Sequence, residues 1–290
     1  MLKLISTLLF TMPCLALAAG QSIEEKKSTG TSPRVEIQNA KGKINIESWD
    51  RPEVKVSGVL DEHAKEFIFE ASENNVRILV ESQQHSGRSS GSILTVFLPE
   101  QAQISAEGTA TDFIINKIQG DIKLETVSGD VRISGNRARL DIDTVSGDIG
   151  VIDHEGLVFI ESVSGDISYD GLATRMEIES IQGDIDVNNQ GKLSEAEFSS
   201  VSGDIETKTY TGNDRLSLEW SAVSGDIDVS FLDSVNASFE IETMNGNIKN
   251  FFTEDKADQK RWLGSSLTFN SGSPTGEISI STVSGNISIK

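Results

Sequence analysis

Nine glycines, at positions 120, 129, 147, 165, 183, 203, 225, 246 and 285, are each followed by an acid or its amide. The followers are Asp121, Asp130, Asp148, Asp166, Asp184, Asp204 and Asp226, then Asn247 and Asn286. Carboxylates repeated this way suit two kinds of chemistry. They could hold Ca²⁺ between successive repeats, as in Gly- and Asp-rich nonapeptide solenoids, with Asp130, Asp148, Asp166 and Asp184 as the candidate ligands. Alternatively each could accept backbone N–H bonds within its own turn, a task that Asn performs equally well. The two Asn members and a spacing near eighteen favour the turn. Gly129–Asp130, Gly147–Asp148, Gly165–Asp166, Gly183–Asp184, Gly203–Asp204 and Gly225–Asp226 are therefore expected to be structural corners.

Other reactive residue types offer less. Ser128, Ser146, Ser164, Ser202, Ser224 and Ser284 precede the same glycines, but Gln119, Gln182 and Asn245 replace them elsewhere, which a nucleophile forbids. "GRSSG" (Gly87 to Gly91) matches the G-x-S-x-G elbow, with His85 close by. The elbow needs a following helix, whereas "SILTVFLP" is a strand, so a hairpin loop is expected. His63, His85 and His154 share no metal-ligand spacing and are expected in surface loops. Trp49, Trp220 and Trp262 could stack on sugars, although Trp220 falls in a core position. No carboxylate pair departs from the repeat as a glycosidase pair would. No catalytic residue and no cofactor is expected.

The glycine gaps are 9, 18, 18, 18, 20, 22, 21 and 39, and the last is read as two periods with one motif lost near Leu263-Gly264-Ser265. Alignment on the glycine gives apolar columns seven, five and two residues before it and two and four after it. Leu140, Ile142, Val145, Ile149 and Val151 are one example. The first two columns share one parity and the other three the opposite one, so a straight strand cannot bury both sets. The chain is expected to bend at the small residue three before the glycine (Thr144, Ser162, Ser180, Ser200), turning the valine column inward. Parallel β-solenoid coils of about 18–22 residues follow, right-handed by the usual crossover rule. An antiparallel β-meander or sandwich with an SG hairpin in each repeat is the alternative. It would leave the valines exposed beside the aspartates. Thr253 to Trp262 is the one helix candidate.

The first residues, "MLKLISTLLFTMPCLALAAGQS", read as a secretory signal over 1–18, with Cys14 inside it. Residues 19–32 are polar and are expected to be a flexible leader. Residues 33–106 form an irregular β-strand cap and 107–290 the solenoid, continuous with it as one domain. Against 45 acidic residues stand 25 basic ones, a net charge of −20. Such a surface repels nucleic acid and anionic lipid and attracts divalent cations and basic partners. No later stretch is apolar enough to span a membrane.

"VEIQNAKGKINIESWDRPEVKVSG", "LTVFLPEQAQISAEG", the "TVSGDI" copies and the closing "GEISISTVSGNISIK" together resemble a family of secreted bacterial β-strand-repeat proteins of unknown function catalogued as "putative adhesins". They are also similar to the head domains of autotransporter adhesins. The resemblance implies a β-helix-like fold, a periplasmic or cell-surface location and a non-enzymatic role in binding an envelope protein or polysaccharide. A polysaccharide lyase or glycosidase on a β-helix and a Ca²⁺-stabilised surface protein stand as alternatives.

Overall fold

The computed structural model describes residues 20–82, 89–212, 215–260 and 264–290. The signal expected over 1–18 lies outside them. Among the described residues every regular element is a strand. The first are β1 (Ser22–Ser28), β2 (Arg34–Trp49), β3 (Glu53–Val59), β4 (Ala64–Ala71), β5 (Asn75–Ser82), β6 (Ser92–Pro99) and β7 (Gln103–Asn116). The repeats supply β8 (Ile122–Ser128), β9 (Val131–Ser134), β10 (Arg137–Ser146), β11 (Ile149–Ser164), β12 (Ile167–Gln182), β13 (Ile185–Leu193), β14 (Glu195–Ser202), β15 (Ile205–Thr211), β16 (Ser217–Ser224) and β17 (Ile227–Phe231). The last are β18 (Ala237–Asn245), β19 (Ile248–Asn250), β20 (Asp258–Lys260), β21 (Gly264–Ser271), β22 (Glu277–Ser284) and β23 (Ile287–Ile289).

Coil stacks on coil in parallel and in register, as the solenoid expectation required. Leu140 pairs with Ile122 and Val158, Val158 with Met176, Met176 with Ala196, and Ala196 with Leu218. Two faces result. One, face A, carries the residues before each motif glycine (β8, β10, the second halves of β11 and β12, β14, β16). The other, face B, carries those after it (β9, the first halves of β11 and β12, β13, β15, β17). β2 and β7 are long enough to run through both. Between the faces lies one apolar core from Ile23 to Ile289, fed by alternate residues of the stacked strands. Antiparallel strands close the stack at both ends: β1, β3 and β4 at one, β21 and β20 at the other.

The corner differs from the expectation. Three residues before the glycine, Thr144, Ser162, Ser180 and Ser200 are buried and continue the parity of the two columns before them. The strand stays straight there and turns only at Ser-Gly-Asp. The valine column therefore faces outward. Positive φ explains the site of the turn: Gly147, Gly165 and Gly183 stand at +121°, +127° and +127°. An L side chain tolerates that region poorly, and glycine does not.

Three more corrections concern organisation. Gly120–Asp121 is not a member of the glycine column. Ile122 pairs with Leu140, seven before its glycine, so Gly120 lies at the opposite corner and the nine-residue gap is half a coil. No motif has been lost near residue 264 either. β21 runs antiparallel to β18 as an end strand, and the chain then returns to place β22 between β16 and β18, and β23 between β17 and β19. The expected helix does not form: residues 251–257 are irregular, β20 follows, and Trp262 lies outside the described residues. Phe252 from this segment joins Phe231, Phe239 and Phe269 in an aromatic cluster over the last coil.

Half of the polar leader expected over 19–32 is a strand. Ser22–Ser28 pairs antiparallel with β3, from Ser22↔Val59 to Ser28↔Glu53. Ile23 is its one core residue, and Lys26–Glu53 and Glu24–Lys55 ion pairs tie its flank. Polarity here marks a charged edge strand that resists end-to-end pairing.

Candidate functional site

The aspartate row is a backbone device. The N–H of each aspartate donates to Oδ1 of its counterpart one coil back: Asp130 to Asp112, Asp148 to Asp130, Asp166 to Asp148, Asp184 to Asp166, Asp204 to Asp184 and Asp226 to Asp204, at 2.7–3.3 Å. Asn286 and Asn247 complete the row. Asp112, which no glycine precedes, heads it, whereas Asp121 accepts from Arg139 N at the other corner. The expected turn bond is real in kind but runs between coils. At a tight corner the glycine N–H bonds forward, as in Gly165 N to Gln182 O, and the next N–H would have no strand partner. The preceding coil's side chain supplies one. Among the described residues no three His, Cys, Asp or Glu side chains form a metal-holding group.

Replacing Asp166 separates acceptor from charge. Asp166→Ala leaves Asp184 N without its acceptor and should cost about 1 kcal/mol, a fall of roughly 2–4 °C in Tm. Asp166→Asn keeps the acceptor, removes one like charge from the row, and should melt no lower than the parent in a thermal scan.

The serine hydroxyls also face along the stack: Ser128 donates to Thr109 O and Ser146 to Val127 O. Of the GRSSG segment, residues 87 and 88 and the nearby His85 lie outside the described residues. Ser89 donates directly to the Asp61 carboxylate, which also accepts from His63 N. Burial pushes the Asp61 carboxyl up, but the Ser89 and His63 hydrogen bonds outweigh it and hold it below its ordinary value. No imidazole stands between hydroxyl and carboxylate as a hydrolytic triad requires. This cluster ties the β3–β4 loop to the approach of β6. Trp49 stacks on Phe97 with its indole N–H on Glu53 O, and Trp220 stacks on Phe198 in the core with its N–H on Thr207 Oγ1.

His154 is a correction to the surface-loop expectation. It is 1% exposed at the corner between face B and face A, and among the described residues neither ring nitrogen has a partner of good hydrogen-bond geometry. Burial lowers its pKa below 6.5 against weaker opposition from the Leu157 backbone and Glu155. Its folded pKa is thus below the unfolded one. The stability it permits is full above pH 6.5 and is lost as pH falls from there through the lowered value. Tm should drop on acidification across that window, and His154→Leu should flatten the drop while leaving Tm at pH 8 close to the parent's.

What distinguishes face A is its outer surface. Val127, Val145, Val163, Ile181, Val201, Val223, Val283 and Met244 form an unbroken apolar ladder, 41% exposed at Val163 and 65% at Met244. Two residues before the first four members runs a row of acids, Glu125, Asp143, Glu161 and Glu179, which Glu107 extends by one coil, all paired coil to coil. The row then changes to Ser199, Ser221 and Ser281. Between ladder and acids lies a groove of about 510 Å³, from Glu107 to Val201, with Thr126, Thr144, Ser162 and Ser180 along its floor. Lys123 Nζ stands 2.6 Å from the Glu125 carboxylate. Burial raises the Asp143 carboxyl, and Asp141, Glu161 and Glu125 raise it further; burial and then Glu161, Glu197 and Glu177 do the same to Glu179. The row thus holds more negative charge than its surroundings neutralise.

A larger groove of about 700 Å³ opens nearer the start of the same strands, among Arg34, Arg77, Lys123 and Arg139 and the acids Glu36, Glu70, Asp121 and Asp141. Two ion pairs close within it. Arg77 reaches Glu36, and Arg139 reaches Asp141 while lying over the Phe159 ring.

A family model described as Toastrack DUF4097 matches residues 33–290. Among solved structures, the chain is similar to a "putative adhesin" from Parabacteroides merdae, at 9% identity over 93% of this chain and 97% of that one, with a TM-score of 0.53. It is also similar to a "putative adhesin" from Parabacteroides distasonis, at 14% identity over 91% and 98%, with a TM-score of 0.50. At these identities the likeness is one of fold. No curated protein matches.

Proposed function

The chain belongs to the Toastrack DUF4097 family, and from that premise we propose that it is an exported, non-enzymatic binding module of the bacterial cell envelope. Residues 1–18 serve as its export signal and the remainder as one continuous solenoid domain. The observation that carries this reading is the eight-member apolar ladder on face A, beside five carboxylates. Contiguous apolar surface on a soluble face marks contact with something else. The Gly-Asp corners are scaffold: they hold the coils at a fixed pitch so that the outer rows repeat without drift. A periplasmic or surface location agrees with the acidic charge, and no helix among the described residues is long and apolar enough to cross a membrane.

The test is retention from envelope extract, with a glycan array beside it, by the parent and by a variant with Val145, Val163 and Ile181 changed to Thr. Binding that the variant loses supports the module. Cleavage of a polysaccharide, or equal retention by both proteins, sinks it.

A further inference from the structure

We propose that the groove on face A takes a cationic amphipathic α-helix, laid along the solenoid axis with its apolar side on the valine ladder and its Lys or Arg residues over the acids. This rests on the binding-module reading above and names the partner of the same groove.

Pitch is the first argument. Successive coils stand about 4.8 Å apart, so five carboxylates span about 19 Å and eight ladder members about 34 Å. An α-helix presents one face every 5.4 Å of pitch, and its i to i+3 step is about 4.5 Å. Helical side chains therefore meet coil after coil with a drift that long Lys and Arg side chains absorb. An extended strand presents a face about every 6.6–6.8 Å and falls out of step within two coils.

Charge is the second. Glu107, Glu125, Asp143, Glu161 and Glu179 lie on one side of the groove, and among the described residues Lys123 is the one cation that forms an ion pair with them. An apolar rod without charge would leave those carboxylates facing a drier surface, at a cost. A bare cation would leave the valines in water. One partner answers both rows only if it carries positive charge and an apolar stripe side by side.

The rows themselves allow clean variants. Val→Thr keeps β-branching and volume, Ile→Thr at the exposed Ile181 keeps β-branching and trims only a solvated methyl, and Glu→Gln or Asp→Asn keeps shape, so the fold persists. The probe is a fluorescein-labelled Lys/Leu peptide of about 18 residues, long enough for five helical turns. Its control has the same composition in an order that gives the helix no apolar side. Anisotropy is read at 0.15 M NaCl, where long-range attraction to an acidic protein is largely screened.

The parent should prefer the amphipathic peptide by about tenfold or more. V145T/V163T/I181T should lose that preference, and E125Q/D143N/E161Q/E179Q should weaken binding about tenfold. Equal binding of both peptides by the parent overturns the proposal, because attraction to net charge then explains everything. So does a preference that the Thr variant retains, or sedimentation showing that two copies of the chain cover the ladder. If the peptides fail but an envelope ligand or glycan is still retained in a Thr-sensitive way, the helix is wrong and the binding module stands. If retention is also Thr-insensitive, both fall.

Discussion

A chain that stops at Gly276 will lose the order of far more than the fourteen residues removed. Residues 277–290 are last in sequence but interior in space. β22 pairs with β16 on one side and β18 on the other, and β23 does the same between β17 and β19. Ile278, Ile280, Ile287 and Ile289 are fully buried, each worth about 1.5–3 kcal/mol of burial. Together they rival the whole stability of an ordinary domain, about 5–15 kcal/mol. Their loss strands β18, β19 and the hairpin beyond with no neighbour to pair against. The stranded coil is hindered from sliding across to close the gap, because its incoming connection is pinned to the coil before. Leu232 N donates to Thr209 O, and Asp233 Oδ1 accepts from Thr211 N. Because each coil touches only its neighbours, the damage should stop near β16. Thermolysin should then cut the truncated protein within residues 232–276 and leave the coils before β16 protected. A synthetic peptide of residues 277–290, added in trans, should restore protection. A truncated chain that resists the protease like the parent would refute the interior placement.

That placement left no trace in the residue columns, and the reason is physical. Every coil offers its neighbour the same rows, so Leu218 would accept Phe239 or Ile278 equally well, and local sequence cannot say which lies beside it. The 39-residue gap between Gly246 and Gly285 was the one sign, and a lost motif explained it just as easily. The columns themselves were legible because stacking puts like on like, which forces the same answer at each repeat. The valine row was misplaced by treating apolar character as burial. Parity held the better clue: the row of Thr and Ser before it continues the buried alternation, and Thr144 turns its hydroxyl back onto Ser146 O. The acid row and the valine row were both visible as letters. Their meeting in a groove depended on knowing that the strand runs straight until the glycine. His154 gave no signal, since a lone imidazole near a turn reads as solvated. The leader was misread because a strand with one core residue has too little periodicity to detect.

Gly165→Ala should be among the most damaging single substitutions in the chain, and Gly150→Ala one of the mildest. Both glycines lie in the repeats, one residue type apart from nothing but geometry. At Gly165 a Cβ would sit 2.2 Å from Gly147 O, and φ is +127°. The obstacle is backbone of the neighbouring coil, so no rotamer change relieves it. The coils must part at the corner, which pulls on Gly147 N to Ser164 O and on Asp166 N to Asp148 Oδ1. Backbone strain of this kind costs about 1–3 kcal/mol, and the steric term adds to it, so about 4 kcal/mol is expected. That corresponds to a fall of roughly 10 °C in Tm for a chain of this size. Around Gly150 nothing lies within 4 Å of the added carbon, and no left-handed φ is required. Alanine loses less backbone entropy in a strand than glycine, so Gly150→Ala should be neutral or stabilise by about 0.5–1 kcal/mol. Urea melts of the two variants decide the matter. Equal midpoints would mean that the recurring glycine is a habit of composition, and that the close approach of one corner to the next, which sets the pitch of every outer row, is not what holds the stack together.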